Sequence, residues 1–131
     1  MKNLVQYGVV LVVFFTIDMV WLGVVAKGIY SKYLGYLMSP KVNWGAALLF
    51  YLLFILGLLV FVIQPALELK SVSDLLLKAA LFGLVTYATY DLTNLATIKD
   101  WPVVITLIDL TWGMTLSVVV SGLSYFIINL L

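Results

Sequence analysis

Asp18, Asp91 and Asp109 each lie inside a long apolar run of a chain that has no histidine, no arginine and no cysteine. A carboxylate at the centre of a hydrophobic span costs ~2.5–3.5 kcal/mol even on the mildest insertion scale, so three of them are more than ordinary variation. Carboxyl groups so placed can exchange protons, hold a cation, or act as general acid and base. Like charges crowded together repel, so the set is expected to keep at least one proton at neutral pH. The alternative is that each carboxyl is protonated and hydrogen-bonds a neighbouring helix, which stitches the bundle without further function.

The residue types that are missing narrow the chemistry. Without cysteine there are no disulfides, thiol nucleophiles or thiolate metal sites, and without histidine the commonest general base and metal ligand is gone. Three carboxylates would suit a hard cation such as magnesium or manganese, yet proton exchange is the simpler use, and no metal or cofactor is expected. A net charge of +1 offers no basic cluster for nucleic acid.

The neighbours of the aspartates fall on shared helical faces. Gly83, Tyr87, Asp91 and Asn94 follow the i, i+4, i+8, i+11 pattern, with Thr86, Tyr90 and Thr93 beside them. Asp109, Gly113, Ser117 and Ser121 recur in steps of four, a small-residue face suited to close helix packing. Phe14, Asp18, Trp21 and Val25 form a third stripe. The string Ile-Asp-x-x-Trp occurs at Ile17–Trp21 and again at Ile108–Trp112, in helices that run in opposite directions, so chance accounts for it better than a tandem repeat. Trp21, Tyr87, Tyr90 and Trp112 lie within about a turn of the carboxyls and could cage an organic cation or stack on an apolar ligand. Asn94 needs several hydrogen-bond partners and commonly orients a carboxylate.

These residues require helices that cross a membrane. With 65% hydrophobic and 10% charged residues and a mean hydropathy of +1.20, the chain is too apolar for a soluble domain. Four spans are expected, at about 4–26, 41–64, 72–97 and 101–129, each reaching the roughly 20 residues that a bilayer core demands. The first is longer than a signal-peptide core and lacks a small-residue cleavage site, so it reads as a retained helix. The fold class is therefore all-α, a single up-down-up-down bundle in contact with membrane lipids, which places one end of the first helix near the connections 27–40 and 98–101, here called the loop side.

The connections carry their own signals. Residues 27–39 alternate lysines with Ile29, Tyr30, Tyr33 and Leu34, which suggests a short interfacial helix or an aromatic loop. Ser39 before Pro40 fits an N-cap opening the second helix, with Asn43 in its first turn. Gln64 and Pro65 should close that helix. Ser71 with Asp74 resembles a capping box for the third helix, and Asp100 is the expected N-cap of the fourth, with Pro102 in its first turn. Trp44 and Trp101 are expected at the loop-side interface. Lysines are divided between the two faces with only a slight bias, so orientation is not specified. Counting from these ends at 1.5 Å per residue, all three aspartates fall about 10 Å below the loop side, and Tyr51 enters the same layer.

The stretch Phe82–Thr97, with Trp101-Pro102, Asp109, Thr111-Trp112-Gly113, Asp18 to Gly23 and Tyr33-Leu34-Gly35, resembles the bacterial four-helix membrane proteins grouped as domain of unknown function 2177. The likeness covers nearly the whole chain and implies a bacterial inner-membrane location. It implies no activity. Three functions remain open: a pocket for a cationic or proton-exchanging small ligand, with transport through a homodimer built on the Gly113, Ser117 and Ser121 face; an enzyme acting on a lipid or isoprenoid by aspartate acid/base chemistry; and a structural or accessory subunit. Candidate ligand-binding residues are Asp18, Trp21, Tyr51, Tyr87, Tyr90, Asp91, Asn94, Asp109 and Trp112, with the three aspartates as candidate catalytic groups.

Overall fold

The computed structural model describes residues 1–131 and contains four long helices: α1 (Lys2–Leu34), α2 (Trp44–Leu69), α3 (Val72–Thr97) and α4 (Val103–Leu130). The shortest have 26 residues, about 39 Å of rise against a hydrocarbon core of about 30 Å, so each is long and apolar enough to cross a membrane. The tight connections force neighbouring helices to alternate in direction.

Helix boundaries depart from expectation at several places, for identifiable reasons. Residues 27–34 are not a separate interfacial element. They are the end of α1, reached through a π-helical turn at Trp21–Val25. No proline interrupts this stretch, and Ala26, Tyr30 and Leu34 form a helical stripe that packs inward. Ser39 does not cap α2, because its hydroxyl instead accepts from Lys41 N at 3.2 Å. Asn43 takes that role, with its side-chain oxygen accepting from Ala46 N at 3.1 Å, so it precedes the first turn rather than lying inside it.

Gln64 and Pro65 also fail to end α2. A π-helical turn at Leu58–Ile63 precedes them, and Gln64 N donates to Leu59 O five residues back. The change of register lets proline enter within the first turn of a fresh α-helical stretch beginning at Gln64, where its missing N–H is tolerated. The helix ends only at Lys70, in the left-handed region with φ 52°. The cap of α3 is as expected: Ser71 Oγ accepts from Asp74 N at 3.1 Å. At the start of α4 the N-cap position is Pro102, whereas Asp100 forms the turn with φ 62°, a conformation that aspartate tolerates better than most residues.

The apolar core fills the half of the bundle away from the loop side. Val10 and Phe14 of α1 meet Phe54, Ile55, Leu58 and Val62 of α2, Leu75 and Ala79 of α3, and Leu116 and Val120 of α4, all buried. At the far end Gln64 Nε2 donates to Gln6 Oε1 at 3.0 Å and Asn3 Oδ1 at 3.1 Å, tying α2 to α1. Toward the loop side the large aliphatic residues give way to aspartates and aromatics. Trp44 is exposed there, as an interfacial tryptophan would be, but Trp101 is buried. It turns inward, donating from Nε1 to Thr106 Oγ1 at 3.1 Å and packing edge-on to Tyr90.

Candidate functional site

The closest helix pair, α3 against α4, sets the site. A Cβ on Gly83 would collide with the carbonyl oxygen of Gly113 and lie 2.6 Å from Ser117 Oγ. One on Gly113 would strike the ring of Tyr87. Two glycines therefore let the backbones approach as no other residue could. The helices are antiparallel, so one turn up α3 is one turn down α4, and the next pair in this register is Asp91 facing Asp109.

This register corrects one expectation. Gly113, Ser117 and Ser121 are all buried inside the protomer, against α3, so that face is not free to form a homodimer. A stripe of small residues reports close helix packing, and the sequence could not tell an internal neighbour from a second copy.

Asp18 of α1 and Asp109 of α4 line one pocket of about 420 Å³ between the four helices. Its wall is mainly aromatic and aliphatic, with Trp21, Leu22, Tyr30 and Leu34 from α1, Ala47, Phe50 and Tyr51 from α2, Thr86, Tyr87 and Tyr90 from α3, and Trp112 from α4. Asp91 is fully buried and stands behind Asp109, outside the lining, with neither side-chain oxygen partnered. The three carboxyls do not form a cluster that could hold a metal ion together. Their arrangement is a facing pair on α3 and α4 with a third group across the pocket.

Hydrogen bonding separates them further. Asp109 accepts from the hydroxyl of Tyr30, while Asp18, only 4% exposed, has a buried Oδ2 with no partner. Buried polar groups are normally satisfied, so an orphaned carboxyl oxygen in a pocket wall calls for an explanation. Thr86, also in the wall, is already engaged, donating to Phe82 O at 2.8 Å, which leaves the Tyr51 hydroxyl as the group beside Asp18.

Trp21 and Trp112 stack face to face, with ring centroids 4.2 Å apart and planes 9° from parallel. The two Ile-Asp-x-x-Trp strings thus meet in space: each supplies one tryptophan to the stack and one aspartate to the pocket. Of the other sequence candidates, Tyr51, Tyr87 and Tyr90 line the pocket and Asn94 does not. Asn94 is half-buried near the loop-side end of α3.

Sequence reasoning missed Tyr30, together with Leu22, Leu34, Ala47 and Phe50. The sequence alone places Tyr30 in a connector, beyond the first span. The signal that could have found it is the i, i+4, i+8 stripe of Ala26, Tyr30 and Leu34, which continues the face of Asp18 once the π-helical turn is allowed for.

No curated protein and no solved structure matches the chain. Residues 3–126 match the family model described as a predicted membrane protein, DUF2177, a range that takes in nearly all of the four helices and every residue of the pocket. The chain therefore belongs to the DUF2177 family and is a multi-pass membrane protein.

Proposed function

We propose that this protein binds a small cationic ligand in an intramembrane pocket and releases a proton as it does so, in the bacterial inner membrane. The observation that carries the reading is the orphaned, buried Oδ2 of Asp18 in the wall of a pocket otherwise made mostly of apolar and aromatic side chains. An ionised carboxylate there is unstable alone, and although the Tyr51 hydroxyl stands close to Asp18, the buried Oδ2 makes no hydrogen bond. An ammonium group resolves both, pairing with the carboxylate as the proton leaves. The rings of Tyr51 and Tyr87, with the outer surface of the Trp21–Trp112 stack, supply the π surface on which organic cations rest. Coupling of ligand to proton is the elementary step of proton-driven transport, and transport is the natural extension of this reading.

The test uses purified protein in lipid nanodiscs and proteoliposomes. A hydrophobic carbodiimide should modify Asp18, and an aromatic amine should slow that reaction and quench the fluorescence of the stacked tryptophans. An imposed pH gradient should drive amine uptake if transport follows. Unprotected Asp18 together with unchanged fluorescence at saturating amine would remove the basis for the proposal.

The facing Asp91 and Asp109, with the Tyr30 hydroxyl on one of them, favour a second reading: acid/base chemistry on a lipid or isoprenoid. That reading predicts an altered lipid profile in cells carrying Asp91→Asn, and an unchanged profile argues against it.

A further inference from the structure

A second cavity, of about 440 Å³, lies on the outer side of α1 and α4 and shares Trp21 and Trp112 with the first. Its remaining lining is Leu107, Ile108, Thr111 and Thr115. Leu107, Thr111 and Thr115 are exposed and recur in steps of four, so they form one outward stripe of α4. The groove has no hydroxyl donor to offer, because Thr111 donates to Leu107 O at 2.9 Å and Thr115 to Thr111 O at 2.8 Å. It lies in the loop-side half of α4, within the apolar span, where the surrounding medium is hydrocarbon. What separates it from the pocket at the shared wall is the pair of parallel tryptophan rings.

We infer that pocket and groove are two parts of one site for an amphiphilic amine taken from the bilayer. The ammonium group lies between Asp18 and Asp109, the hydrocarbon tail lies along the Leu107, Thr111 and Thr115 stripe, and the Trp21–Trp112 stack is the lateral gate between them. This rests on the cation-binding reading and names its ligand class. Several features of the two cavities converge on a tail. The pocket alone is lined largely by apolar side chains, so a small hydrophilic cation would leave most of its wall unmatched. A stack of two side chains can open by rotamer change without moving a helix. A groove whose hydroxyls are already bonded to their own helix suits alkyl chains and nothing that needs a hydrogen bond.

The experiment uses the full chain in phosphatidylcholine nanodiscs with three probes: a long-chain alkylamine bearing a diazirine near its tail, a phosphatidylcholine bearing the same diazirine, and a short-chain amine. Photolysis and peptide mapping should place amine adducts on Leu107 to Thr115 in several-fold excess over those of the lipid, and Asp18→Asn should reduce them to the lipid's level. Thr111→Trp, at an exposed position, should lower the preference for the long over the short amine by about tenfold, the effect of losing contact with one or two methylenes. Amine adducts distributed like those of phosphatidylcholine, or an unaltered long-to-short preference in Thr111→Trp, would overturn the inference. The two proposals fail differently. If the short amine protects Asp18 from carbodiimide but the tail does not label the groove, the lateral site alone is wrong. If no amine protects Asp18, both are.

Discussion

Gly83→Ala is expected to destabilise the protein by about 2 kcal/mol, and the figure follows from the geometry of α3 and α4. The added Cβ would lie 2.6 Å from Ser117 Oγ and closer still to Gly113 O, whereas carbon and oxygen normally rest at about 3.3–3.6 Å even in C–H···O contacts. The helices must separate by roughly an ångström to admit it. Overpacking of a well-packed interface costs ~1–3 kcal/mol, and here the upper end applies because the obstacle is backbone and cannot rotate aside. Alanine recovers up to about 1 kcal/mol through its better helix propensity. Gly122→Ala is the internal control, since its Cβ would meet nothing within 4 Å, and it should be neutral or stabilising by up to about 1 kcal/mol. Unfolding in mixed micelles, followed by tryptophan fluorescence, measures both. The gap between the variants should be about 3 kcal/mol. If they agree within about 0.5 kcal/mol, the scatter of an innocuous surface change, the register that sets Asp91 against Asp109 is wrong.

Three other outcomes are expected. Asn43→Ala should cost about 1 kcal/mol by removing the cap of α2, and Ser39→Ala much less, in the same unfolding assay; the reverse order would restore Ser39 as the helix start. Tyr30→Phe leaves Asp109 without its donor and should lower stability by ~1–3 kcal/mol, and an unchanged midpoint would mean that the two side chains do not meet. Asp18→Asn should fold normally but weaken amine binding by about 2 kcal/mol or more, roughly thirtyfold, read by fluorescence titration. Equal affinity in that variant would place the ligand elsewhere.

The comparison of sequence with structure is clearest at particular residues. The cap at Ser71 was legible because it depends on side chains three residues apart. Ser39 and Asn43 both carry cap-forming side chains within five residues of one another, and nothing local chooses between them. Pro65 reads as a helix stop by itself, and only the π-helical turn before it, held within the packed core by Leu58, Val62 and Ile63, carries α2 past it. The tryptophans show the same division. Each Ile-Asp-x-x-Trp string is visible, but their opposite directions argued against a common purpose, and the stack forms because α1 and α4 are antiparallel neighbours.

What the chain's sequence determined by itself is what composition and local spacing control: four apolar spans, the helical class, the family, and the cost of three aspartates in apolar surroundings. Those follow from solvent transfer and from contacts within a few residues. The tertiary structure decided which groups meet. It turned the small-residue face of α4 inward against α3, set Asp91 behind Asp109 and outside the pocket, brought Tyr30 onto Asp109, and left Asp18 with an unpartnered oxygen. Such pairings join residues as far apart as Tyr30 and Asp109, and they depend on helix direction, register and a π-helical turn in α1. None of these is encoded within a single helix, because each is settled by how four apolar surfaces fit together.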